Sequence, residues 1–161
     1  MAILTDVGRA ALAQAIQNNA LHLAWGTGDP DWDETPLPPL LADTDLVAEV
    51  GRAALHSSGY AIPDDDGLVE TPTGRFTLVA GPTQHLYLRF DFGFADAADQ
   101  VIREVGLFLG STIEPGLPEG QRYFVPAEVT DPGLLLAVER FETPLVRSPL
   151  NRQQFEFVLT I

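Results

Sequence analysis

The chain contains no cysteine and no lysine. Without cysteine there can be no disulfide framework, no thiol nucleophile and no thiolate metal site, and cysteine usage says nothing about redox compartment. Without lysine, all nine basic side chains are arginine, against 23 Asp plus Glu, for a formal net charge of −14. That shortage of positive charge argues against a surface that tracks nucleic-acid phosphates, and against docking on anionic lipid. Long apolar runs are also missing, so neither a signal-peptide core nor a transmembrane segment is expected. The expectation is synthesis in the cytoplasm and a soluble product until it assembles or is released. The arginines have two readings. A guanidinium fork suits fixed ion pairs with carboxylates, especially at interfaces, whereas an arginine-biased genome would give the same composition.

Catalytic motifs are equally scarce. His22, His56 and His85 are far apart and fit no His-Glu-x-x-His spacing. Gly26-Thr27-Gly28 lacks the later Gly and Lys of a phosphate loop, and there is no Gly-x-Ser-x-Gly elbow. Asp29, Asp31 and Asp33 begin like a calcium loop, but Glu34 stands where its Gly belongs and Leu40 where its distal Glu belongs. Carboxylates are numerous, yet no spacing selects a glycosidase pair. These patterns favour a protein that is not an enzyme, with no cofactor and no metal.

What the sequence does have is alternation. From His85 to Phe94, Leu86, Leu88, Phe90, Phe92 and Phe94 fall on one side, the signature of a strand with one buried face. Val101 to Leu109 alternates again after a small polar link, so an antiparallel pair at the heart of a sheet is expected. Arg103 shares the parity of Val101, Val105, Leu107 and Leu109. As a charge on an apolar face it must reach a carboxylate or the sheet rim. Glu104, Gly106 and Phe108 lie on the other face. Length and a 45% apolar composition predict one domain over residues 1–161.

Along the chain, Thr5 is placed to cap a helix from about Asp6 to Asn18, within a helical region of about residues 5–19. Leu4, Val7, Ala11 and Ala15 form one stripe, with Gly8, Leu12 and Ile16 beside it. The small residues Gly8, Ala11 and Ala15 allow close approach, either to the sheet or to a neighbouring protein. A short strand is expected over Leu21–Gly26, then a proline-rich loop from Gly26 to Ala42. Loops of that length are often functional. Trp32 sits in it among Asp29, Asp31, Asp33 and Glu34, either as a contact anchor with an acidic rim or folded back over a core edge. Asp43 or Thr44 reads as the cap of a short helix to about Val50, followed by a less regular strand to Ile62. A hairpin is expected around Pro72-Thr73-Gly74, a strand over Leu134–Phe141, and a last strand with Phe155, Phe157, Leu159 and Ile161 on one side. The resulting class is α+β, a mainly antiparallel and sandwich-like β-sheet with an N-terminal helix packed on it.

Several segments resemble the N-terminal attachment domains of bacteriophage tail-collar and tail-fibre proteins. Ile102-Arg103-Glu104-Val105-Gly106-Leu107-Phe108, after a strand of alternating aromatics, looks like their signature strand. Leu4-Thr5-Asp6 with Gly8, Leu23-Ala24-Trp25-Gly26-Thr27-Gly28-Asp29, Leu46-Val47-Ala48-Glu49-Val50-Gly51-Arg52 and Leu134 to Val138 match in the family's order. The resemblance implies a virion structural protein of the tail or baseplate, in a phage or a related contractile injection particle. It implies fibre attachment without catalysis, often as a homotrimer, with other tail, baseplate or fibre proteins as partners, no nucleic acid and no membrane insertion. Many relatives continue into a shaft and tip, so this chain is expected to act as an adaptor. The interface candidates are Trp32, Asp29, Asp31, Asp33, Arg103, Glu104, Gly8, Ala11 and Ala15. A competing expectation is a β-sandwich module for surface glycan or a host receptor, with Trp25, Trp32 and Tyr60 as stacking platforms.

Overall fold

The computed structural model describes residues 1–161. In chain order the strands are β1 (Leu21–Gly26), β2 (Glu49–Ala54), β3 (Ser57–Pro63), β4 (Val69–Thr71), β5 (Gly74–Val79), β6 (His85–Phe92), β7 (Val101–Leu109), β8 (Thr112–Ile113), β9 (Tyr123–Phe124), β10 (Val129–Asp131), β11 (Leu134–Val146) and β12 (Gln153–Thr160). One α-helix, α1 (Asp6–Gln17), precedes them. The class is α+β, and the sheets are mostly antiparallel. No helix is long and apolar enough to cross a membrane. Residues 1–19, 55–90 and 154–161 form one compact unit; residues 20–54 and 91–153 form another.

The first unit holds α1 and a sheet in the order β12-β6-β3-β5-β4. Thr5 starts the helix as its composition predicts: its hydroxyl accepts the Gly8 N–H at 3.2 Å, and Asp6 lies in the positive first turn. The face turned inward differs from the expected stripe. Ala13 is buried, Gln17 donates to the Ser58 hydroxyl at 3.0 Å, and Arg9 donates to the Ile161 carbonyl at 2.6 Å. Positions 9, 13 and 17 repeat every four residues, so these anchors fix one face. The stripe of Leu4, Val7, Ala11 and Ala15 is thereby left in solvent, with Val7 80% exposed. Along β6, Leu86, Leu88 and Phe90 are fully buried, as their alternation requires, and so is Phe92 at its end, which belongs to the second unit. Phe94 lies beyond the end of β6 and is half exposed. The hairpin at Pro72-Thr73-Gly74 forms, joining β4 to β5, with Gly74 at φ 139°.

The second unit holds a sheet in the order β11-β7-β1-β2-β9 and the short pair β10-β8. The expected pairing of the 85–94 and 101–109 segments does not occur. Strand β6 pairs with β3 and β12, while β7 pairs with β1 and β11 in the other sheet. In the link between them Ala97 and Asp99 have φ of 46° and 63°, and the Asp96 carboxylate folds back to accept the Gly93 N–H. Both edges of β7 are taken by other strands, and most of its residues are buried.

The helix expected between Asp43 and Val50 is also absent. Residues 43–48 are irregular and β2 begins at Glu49. Tertiary contacts override local preference here. Leu46 packs with Ala24 and Phe108, and the Glu104 carboxylate accepts the Ala48 N–H at 3.0 Å, replacing a helical bond. Strand β11 runs further than expected, through Pro144, because a register break between Arg140 and Leu145 accommodates the missing N–H.

Candidate functional site

Four arginines of the second unit each tie loops to the sheet. Arg52, 1% exposed, makes a two-pronged pair with Glu49 at 2.8 Å on each prong, and also donates to the Ser111 hydroxyl and the Pro132 carbonyl, both at 2.8 Å. Its guanidinium lies 4.3 Å from the centre of the Phe108 ring. Arg147 donates to the Gly93 carbonyl at 2.8 Å and sits 5.1 Å from the Trp25 ring centre. Arg103 grips both oxygens of Asp33 at 2.8 Å and the Thr27 carbonyl at 3.0 Å. Arg140 binds the Leu37 and Pro38 carbonyls at 3.2 and 3.0 Å and the Asp43 carboxylate at 3.1 Å. The planar fork reaches several acceptors at once, which the point charge of a lysine cannot match. The charge on the apolar face of β7 therefore finds its carboxylate within its own chain.

Arg103 and Arg140 together clasp the proline-rich loop. A 3-10 turn, Pro30–Asp33, opens it; the Asp29 carboxylate caps that turn by accepting the Asp31 N–H at 3.0 Å. The hydrogen bond from Arg103 holds the Asp33 carboxyl below the usual aspartate range, and Asp33 in turn raises Arg103. Trp32 is half-buried and folded back. Arg140 stacks on it at 4.4 Å, and Gly28, at φ 56°, lies so close that a side chain there would collide with the indole. Beyond Trp32 the loop closes on itself. The Leu40 N–H donates to Asp43 at 2.9 Å, and the Asp43 N–H returns to the Leu40 carbonyl at 3.0 Å. Along this loop Leu37, Leu40 and Leu41 are exposed, Leu41 fully.

The structure thus brings Asp29, Asp31, Trp32, Asp33 and Arg103 into one surface. The calcium-like trio does not converge, since Asp29 caps the turn and Asp33 faces Arg103. Glu104 is placed differently. It is fully buried on the other face of β7, its Oε2 has no partner, and burial pushes its pKa up. Gly8, Ala11 and Ala15 belong to α1 in the first unit, where Ala11 and Ala15 are exposed and Gly8 is half-buried. Sequence reading missed Arg140 and Arg147. Arg140 lies in β11 beside Glu139, and Arg147 lies just past the end of that strand, so no apolar run marks either. Neither Trp25 nor Tyr60 offers a stacking platform. Trp25 is buried, stacked on Phe92 at 3.8 Å with its indole N–H donating to Tyr123, and Tyr60 is 9% exposed.

The surface presents fixed apolar and acidic side chains. No curated protein matches the chain. A family model does, that of the baseplate wedge 3 tail fiber network component, over residues 1–161. This agrees with the likeness to phage tail-fibre attachment proteins carried by the Ile102–Phe108 strand and its companions. The chain belongs to the baseplate wedge 3 tail fiber network component family, a family of structural parts of the phage tail.

Proposed function

We propose that the chain is a non-enzymatic adaptor of the baseplate, which fastens fibres or neighbouring tail proteins by assembling with them and with copies of itself, as a trimer. Residues 1–161 act as a single domain, which reaches the virion tail after synthesis in the host cytoplasm. The observation that supports this reading most is the use of arginine. Arg52, Arg103, Arg140 and Arg147 stiffen loops rather than line a cleft. A loop already ordered loses little entropy when it meets a partner, which suits a part that must hold position under load. The exposed stripe of α1, with Leu4, Val7 and Leu12, offers a second apolar face for a symmetric contact.

The test is a particle that lacks the chain. Tails assembled without it should carry fewer or no fibres, and the purified protein should sediment as a trimer. Fully fibred tails without the chain, together with a monomer at micromolar concentration, would overturn the reading.

A further inference from the structure

We propose that Leu37, Leu40 and Leu41 form a docking element that inserts into an apolar groove rimmed by arginine or lysine on a different protein of the baseplate or fibre. The inference rests on the adaptor reading and names the surface and the chemistry of the partner. Three observations carry it. First, these leucines are 53, 59 and 111% exposed, within five residues of one loop, where burial against the protein's own core would be the default. Second, the loop is built to hold them out. Pro36, Pro38 and Pro39 restrict its backbone, the Leu40–Asp43 bonds close it, and Arg140 pins its base at three acceptors. Third, the surrounding charge is of one sign. From Asp29 to Asp45 there are six acidic residues and no basic one. Asp33 and Asp43 are paired with Arg103 and Arg140, which leaves Asp29, Asp31, Glu34 and Asp45 as an exposed acidic rim.

Charge complementarity then selects the occupant. A rim of four carboxylates favours a groove edged with cations, which would steer the encounter and fix its register. A second copy of this chain is a poor fit. It carries the same −14 and no lysine, and four of its nine arginines are already engaged inside the second unit. Across a two-fold axis, the same acidic rims would face each other.

The experiment uses assembled particles. A photo-reactive benzoylphenylalanine at position 41 is expected to cross-link to one other tail protein, at apolar residues flanked by Arg or Lys. Cross-links to a second copy of this chain, or none at all, overturn the proposal. Leu40→Ser/Leu41→Ser is expected to lower incorporation at least tenfold while the purified variant melts like the parent protein. Incorporation at the parental level overturns the docking element. Asp31→Asn/Glu34→Gln is expected to slow incorporation several-fold at low salt and to flatten its salt dependence; an unchanged rate and salt dependence overturns the basic rim. Particles that never contain the parental chain would instead overturn the adaptor reading itself.

Discussion

Arg140 is the residue on which the shape of the proline-rich loop turns, and Arg140→Met isolates its role. Methionine keeps most of the apolar stem but loses the fork. Three charge-assisted bonds disappear, to Asp43 and to the Leu37 and Pro38 carbonyls, along with the stack on Trp32. A bond to a charged group is worth about 1.5–3 kcal/mol where water is excluded. Here the two carbonyls are exposed and water can replace the arginine, so their share is small. The Asp43 side chain is 19% exposed, and its bond carries most of the loss. With about 0.5–1 kcal/mol for the cation over the indole, the variant should lose about 2 kcal/mol. Hydrogen exchange reads this locally. The amides of Leu40 and Asp43, which close the loop on each other, should exchange about thirty times faster. The melting temperature should fall by about 4–8 °C for a chain of this size. If both amides keep their parental protection, the loop is held by its prolines alone and the clasp argument is refuted.

Three further outcomes follow from the same second unit. Burial, aided by the nearby Arg52 charge, lowers the pKa of His22 to about 4, so His22 stays neutral in the folded state while the unfolded chain titrates near 6.5. Its contribution is complete above pH 6.5 and is lost as pH falls toward 4, about 2 kcal/mol after screening by solvent is allowed for; a denaturant midpoint followed over that window should fall, and His22→Gln should flatten the fall. Glu104 has the opposite sign. Burial raises its pKa, so its contribution is greatest below the ordinary glutamate range and declines as pH rises through the folded value; Glu104→Gln should raise stability at pH 7.5 by about 1 kcal/mol and leave pH 4 unchanged, as measured by urea unfolding. Gly28→Ala forces a side chain into a left-handed backbone position and against the Trp32 indole, and should cost roughly 1–3 kcal/mol and change the near-ultraviolet signal of Trp32.

The strands were legible where large apolar side chains recur at every second position. The alternation of His85–Phe92 and Leu21–Gly26 marks each of them, and the Thr5 cap marks the start of α1. Which strand pairs with which was not legible. The alternation in β6 and β7 says that each buries a face but not against what, and sequence adjacency suggested a hairpin, whereas each strand takes its partners from elsewhere in the chain. Local preference misled at residues 43–50, because Leu46 is recruited into a core whose other members, Ala24 and Phe108, come from distant strands. Arg103 was legible as a buried cation needing a carboxylate, and Asp33 is that carboxylate. Arg140 was not, since its acceptors are mainly backbone carbonyls about a hundred residues away, and carbonyls leave no trace in composition.

The central claim is that this chain works by holding other tail proteins in place. The most direct measurement is a density map of the intact particle, detailed enough to trace the chain within the baseplate. The account predicts that residues 37–41 lie in an apolar groove of another tail protein and that the clasp of Arg140 on Asp43 is intact there. A chain whose proline-rich loop faces open solvent, with its contacts made wholly elsewhere, would contradict it.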